Sequence, residues 1–170
     1  MNRNLLLLCA AIGITAAAAP AAWRTPVRIA YNASASAPLG WYWVRAFASP
    51  RVGDYVLATL PRDAAGLAAS RGYLPAGLPV LKQVAAVAGQ HVCAREGAIV
   101  IDGAMSVSVL RSDRFDRPLS AWNQCRTLID GELFLINTSN AASFDSRYFG
   151  PISASAVRGQ AIPLWTWSAR

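Results

Sequence analysis

LPVLKQVAAVAGQ, residues 78–90, sets Lys82 inside a valine-rich apolar run bounded by Pro79 and Gly89. Such a run with such punctuation predicts a strand over 80–87. Side chains alternate along a strand, so Val80, Lys82 and Val84 share one face and Leu81, Gln83 and Ala85 the other. Lys82 is the only lysine of the chain; the other fifteen strong bases are arginines. A guanidinium stays protonated, whereas an amine between valines sheds its proton more readily because burial disfavours the charge. Two readings stand at this point. Either the ammonium snorkels to water along the strand edge, or a buried neutral amine serves as a base.

Short apolar runs separated by Gly and Pro continue in both directions. VRIAY (27–31), GWYWVRAF (40–47), DYVLATL (54–60), HVCAR (91–95), AIVID (98–102), SVSVL (106–110), GELFLIN (131–137) and AVRGQAIPLW (156–165) all predict strands. RDAAGLAASRGYL (62–74) has the alanine-rich look of a helix, and RSDRFDRPLSAWNQ (111–124) that of a long polar loop. No internal repeat is visible. The expected fold class is mainly β, with residues 23–170 as one domain large enough to bury a core.

Ahead of that domain, residues 5–22 (LLLLCAAIGITAAAAPAA) carry no charge. As a helix they would extend about 27 Å, close to the roughly 30 Å of a bilayer's hydrocarbon core. Preceded by MNRN, they predict an export segment over 1–22. Trp23 suits an interfacial anchor, while Ala-x-Ala spacings near 17–21 leave cleavage open. A retained anchor with the domain outside the cytoplasm is the expectation.

Of three cysteines, Cys9 lies in the apolar segment, and Cys93 and Cys125 remain as an even pair. An oxidising compartment would bridge them. His91 is the only histidine and no Cys-x-x-Cys occurs, so neither a metal nor another cofactor is expected, and a histidine-dependent nucleophile would rest on His91 alone. The net charge of +7 is spread without a basic run. Anionic lipid accounts for it better than nucleic acid, which is not an expected partner.

A lysine base needs a nucleophile, and a serine hydroxyl is activated by an adjacent base. YNASASAPLGWYWV (31–44) offers serines among small residues before a turn at Pro38 and Gly40. NTSNAASFDSRYFGPIS (137–153) packs two hydroxyls, an acid, a base and two aromatics into its SFDSRYFG portion. Taken alone, that portion reads as an Asp145–Arg147 surface pair over core aromatics.

In this order the three segments resemble the signal peptidase I superfamily of Ser–Lys membrane proteases, most closely its conjugative-transfer branch, the TraF-type pilin-processing peptidases. Asn32, Ser36, Pro38, Gly40 and Tyr42 match that branch's serine box. Lys82, Gly89 and Val92 match its lysine box, and Ser143, Asp145, Ser146, Arg147 and Gly150 its third box. Gln90 stands where family members often carry aspartate, and Ala37 where the general bacterial enzymes place methionine.

The resemblance implies a signal peptidase I/LexA-like β catalytic domain behind one N-terminal transmembrane segment. It implies Ser36 as nucleophile and Lys82 as general base, with the Ser36 N–H and the Ser34 hydroxyl as oxyanion donors. Ser143 would orient the lysine amine, and Asp145 and Arg147 would brace the site. The implied enzyme sits in the inner membrane with its catalytic domain in the periplasm. It would process, and in some relatives cyclise, a conjugative pilin precursor after small residues. A general signal peptidase acting on exported preproteins is the alternative. Substrate and membrane lipid are its expected partners, and conjugative type IV secretion components are further partners it admits. The aromatic segments GWYWV and PLWTW could face lipid or pack in the core.

Overall fold

The computed structural model describes residues 4–5, 7–10, 12–14, 28–46 and 49–167. β1 (Ile29–Asn32) and β2 (Leu39–Arg45) form a hairpin whose loop, 33–38, is ASASAP. There follow β3 (Tyr55–Ala58), α1 (Arg62–Ser70), β4 (Val80–Val87), β5 (His91–Arg95), β6 (Ala98–Ile101) and β7 (Met105–Ser108). β8 (Cys125–Thr127), β9 (Glu132–Leu135), α2 (Ser146–Phe149), β10 (Ile152–Ser153), a 3₁₀ turn over 154–156 and β11 (Val157–Trp167) complete the described chain. The fold is mainly β, as the punctuated apolar runs require.

All strand pairs are antiparallel, in two sheets. One has the order β1-β2-β11-β3-β4-β9-β10 and the other β7-β6-β5-β8. β11 therefore lies inside the larger sheet, between β2 and β3. β4 pairs with β3 and places Lys82 opposite Val56. Val80 and Val84 join Val56, Ala58, Leu133, Leu135 and Ile152 in one apolar cluster, while Leu81 joins Ala37, Tyr42 and Ala161 in another. The expected alternation thus holds as far as Val84. Beyond it the register with β9 shifts between Val84 and Ala86, and Ala85 and Ala86 both pack into a third cluster around Val92, Ile99 and Phe134. A bulge of this kind bends a strand and lets one strand serve two packing layers.

α1 is shorter than the sequence suggests and buries Ala64 and Ala68, one helical turn apart, against Leu60, Tyr73, Leu74, Phe144 and Phe149. Small side chains at the contact bring the helix close to the segment carrying the third motif. Cys93 and Cys125 face each other across β5 and β8 and are bridged. Cys9 is free and exposed.

No helix among the described residues is long and apolar enough to cross a membrane. The membrane segment expected over 1–22 lies largely outside the described residues; of it, residues 4–5, 7–10 and 12–14 are helical and exposed. Trp23 and the alanines near 17–21 lie outside them altogether.

The aromatic segments divide by parity. Along β2, Tyr42 and Val44 point into the core, whereas Trp41 and Trp43 are exposed. Tyr31 of β1 and Trp165 of β11 flank Trp41 in register, and the Tyr31 and Trp41 rings lie 4.9 Å apart. An exposed aromatic row therefore crosses three strands, with Trp165 at 73% exposure.

Candidate active site

The loop 33–38 is shaped by a buried asparagine. Asn32 Nδ2 donates to the carbonyls of Ser34, Ala37 and Pro38, and its Oδ1 accepts from the N–H and the hydroxyl of Ser34. Tyr42 is fully buried and its hydroxyl donates to Pro38 O at 2.6 Å; burial pushes that phenol up to about 12. Gly40 has φ +127°, and a Cβ there would stand 2.1 Å from Trp165 O. Only glycine fits at that turn into β2. The Asn, Pro, Gly and Tyr of the serine motif are thus a scaffold for the serines between them.

Ser34 Oγ and Ser36 Oγ share a hydrogen bond of 2.7 Å. Ser34 gives its one proton to Asn32 Oδ1 at 3.1 Å, so Ser36 is the donor in the pair. Ala37, the next residue, is buried against Leu81, the neighbour of Lys82. The structure thus brings the serine loop onto the lysine strand. Among the described residues, no hydrogen bond joins Ser36 to Lys82 directly.

Lys82 does not snorkel. It is 3% exposed, and its Nζ donates to Ser143 Oγ at 2.6 Å. Its pKa is lowered to about 8, first by burial, with Asp145 opposing the shift and Arg147 adding to it. An amine in that range exchanges its proton near neutrality, which a guanidinium in the same place would not do.

Asp145 and Arg147 are fully buried, which overturns the surface-pair reading. Arg147 Nε donates to Asp145 Oδ1 and NH2 to Asp145 Oδ2, both at 2.8 Å, in a two-pronged pair. Asp145 also caps α2 by accepting from the Arg147 N–H, and takes the Asn137 N–H at 3.1 Å. Arg147 spends its remaining donors on the carbonyls of Ser108, Asn137, Asn140, Ala141 and Ser143. No buried side-chain polar atom among the described residues lacks a partner, which is how two buried charges are tolerated. α2 ends at Gly150 (φ +74°), where a Cβ would stand 2.6 Å from the Trp122 ring.

Two residues escaped the sequence reading: Asn137 and Asn140, whose side-chain amides donate to Ala35 O at 3.2 and 3.4 Å. Each accepts on Oδ1 from the N–H two residues on, Ser139 and Ala142 respectively. The signal was present in NTSN followed by small residues, a spacing suited to Asx turns. What those amides would reach was not. Gln90, the departure from the family pattern, closes the β4–β5 turn by accepting from Val87 N and donating to Asp102. His91 sits 3.7 Å from Cys125 Sγ through its Nε2, in the smaller sheet.

Fold and groups together define a mainly β serine peptidase. The family model for signal peptidase, peptidase S26, matches residues 2–167, and the chain belongs to that family. It is 38% identical to the conjugal transfer protein TraF of Agrobacterium fabrum strain C58 over 149 residues, which cover 80% of this chain and 81% of that one. It is 36% identical to the probable conjugal transfer protein TraF of Sinorhizobium fredii strain NGR234 over 159 residues, covering 87% and 81%. The plasmid transfer protein TraF of Escherichia coli is 31% identical over 146 residues, covering 80% and 82%. The backbone also overlaps that of a signal peptidase I from Enterococcus faecalis V583, at a TM-score of 0.42 and 22% identity, over 68% of this chain and 98% of that one.

Proposed function

We propose that this chain is a membrane-anchored endopeptidase in which Ser36 is the nucleophile and Lys82 the general base, and that it processes the precursor of a conjugative pilin after small residues. The observation that carries this reading is the Lys82 amine: buried, brought down to about 8 and hydrogen-bonded to Ser143. In a chain of the signal peptidase family, that is the state a lysine base requires.

Ser36 Oγ attacks the scissile carbonyl carbon as its proton passes to Lys82 Nζ. The carbonyl oxygen becomes an oxyanion, which the Ser36 N–H and the Ser34 hydroxyl stabilise. Collapse breaks the C–N bond, and the Lys82 proton goes to the leaving amine. Water then repeats the attack on the acyl-enzyme with Lys82 again as base, releasing a carboxylic acid and Ser36. If the precursor's own amine attacks in place of water, the product is a ring.

In the resting arrangement Ser36 directs its proton to Ser34, so the attack begins with the Ser36 hydroxyl turning that proton from Ser34 toward Lys82. The Ser34 proton, given to Asn32 Oδ1 at rest, turns to the oxyanion as the charge develops. Ser143 holds the amine in place, and the Asp145–Arg147 pair fixes the segment that carries Ser143.

Location at the inner membrane, with residues 23–170 in the periplasm and 1–22 spanning, is supported by the charge-free stretch 5–22 and the exposed aromatic row of Tyr31, Trp41 and Trp165. Tryptophan and tyrosine favour the headgroup region. The bridged Cys93–Cys125 pair suits an oxidising compartment.

The test is cleavage of the cognate pilin precursor in membranes by wild type, Lys82→Arg and Ser36→Ala. Wild-type cleavage with both folded variants silent is the expected result. An active Lys82→Arg chain would remove Lys82 from the chemistry. Cleavage of unrelated preproteins at equal rate would favour the general signal peptidase.

A further inference from the structure

The Ala35–Ser36 peptide is held from one side only. Its carbonyl accepts from two side-chain amides, Asn137 Nδ2 at 3.2 Å and Asn140 Nδ2 at 3.4 Å. Both amides have their orientation fixed, because each Oδ1 accepts from a backbone N–H two residues on. The described chain contains no cis peptide, so the Ser36 N–H points opposite to the Ala35 carbonyl. No acceptor among the described residues takes that N–H. Two donors on a carbonyl also polarise the peptide and strengthen the N–H at its other end.

We propose that Asn137, assisted by Asn140, is a positioning residue that aims the Ser36 N–H at the oxyanion. The inference rests on the Ser36–Lys82 reading and extends it to groups outside all three sequence motifs' matched positions. It also gives Asp145 a second task. Asp145 Oδ2 takes the Asn137 N–H, and Arg147 takes the carbonyls of Asn137, Asn140 and Ser143. Ser143 in turn receives the Lys82 amine. One buried ion pair thereby sets the direction of the oxyanion donor on one side of the site and of the base on the other.

The experiment uses the full chain in detergent micelles and a fluorogenic peptide with Ala-x-Ala before the cut. Asn137→Asp keeps the size and the acceptor for Ser139 but turns an oxygen toward Ala35 O in place of a donor. The expected result is a drop in kcat of about ten- to a hundred-fold, the scale of a misaimed group, with KM within twofold. Two inhibitors separate aim from general loosening. A peptide aldehyde adds to Ser36 Oγ and places an oxygen where the oxyanion forms, and its Ki should rise by the same factor as kcat falls. The same peptide with its scissile carbonyl reduced to CH₂ has no such oxygen, and its Ki should stay unchanged.

Wild-type kcat in folded Asn137→Asp, or equal weakening of both inhibitors, would overturn the proposal. Should that variant melt below the assay temperature, partly exposed Asn140→Ala carries the test. A two- to fivefold loss confined to kcat and the aldehyde is then expected, and no loss refutes the proposal. Ser36→Ala is run alongside. If it still cleaves, the Ser–Lys reading itself fails; if it is silent while the asparagine variants match wild type, only the positioning role fails.

Discussion

Protons are the mildest perturbation of this site, and Lys82 fixes what they should do. With the amine at about 8, about 9% of molecules carry it neutral at pH 7 and about 1% at pH 6. Above pH 9 the fraction exceeds about 90%. Because kcat/KM reports the free enzyme, it should climb about tenfold from pH 6 to 7 and level off above 9. The assay is peptide hydrolysis by the full chain in micelles across pH 6–9.5, with kcat/KM taken from initial rates and folding followed by circular dichroism at each pH. The same group makes a prediction about stability. Between about 8 and its ordinary 10.5, the unfolded chain holds a proton that the folded chain lacks, so stability rises as pH climbs through that window. The lysine accordingly costs about 3 kcal/mol at pH 7, a cost gone above 10.5. Lys82→Met removes the charge but leaves Ser143 unpartnered, worth about 1 kcal/mol. The variant should therefore be inactive yet about 2 kcal/mol more stable at pH 7, with no advantage at pH 10.5. A flat activity profile from 6 to 9, or an inflection near 10, would refute the buried-amine argument.

Other perturbations bear on the groups around it. Asp145→Asn removes the attraction that holds the Lys82 pKa up while Arg147 still pushes it down; the activity inflection should move below 8, with about 3–5 kcal/mol lost from denaturant melts because a buried guanidinium is left unpaired. Gly40→Ala places a methyl where Trp165 O stands 2.1 Å away, at φ +127°; more than about 2 kcal/mol of stability should be lost as the β2–β11 pairing shifts. Reducing the Cys93–Cys125 bridge, which spans 32 positions, should cost about 3–4 kcal/mol by loop closure, seen as a lower melting temperature with dithiothreitol, whereas a Cys93→Ser, Cys125→Ser variant should melt at the same temperature with and without it.

Strands were legible where valine and its relatives lay between glycine and proline, and β4 and β5 begin and end where the sequence places them. β8 and β10 were not, because three- and two-residue strands carry no periodicity to read. α2 was missed for the same reason; four residues ending at Gly150 show no apolar stripe. Lys82 was marked by residue type alone, its uniqueness among arginines. Its burial depended on Ser143, sixty-one residues away. The Asp145–Arg147 pair reads locally as a surface pair, since nothing in SFDSRYFG reveals that carbonyls from Ser108 and from the 137–143 loop fold over it to absorb a guanidinium. Asn137 and Asn140 lay beyond reach because what gives them meaning is the Ala35 carbonyl, over a hundred residues earlier.

The place of β11 has a consequence for timing. The serine loop hangs on β1 and β2, the lysine on β4, and in the larger sheet β2 is joined to β3 and β4 only through β11. That strand is made after every other described element. A chain emerging from the ribosome thus has its serine loop and its lysine strand made well before the strand that joins them within the sheet. Contacts so distant in sequence form slowly. The larger sheet is thus completed only by the last of its described strands to be made, and whatever the sheet aligns waits on that delivery.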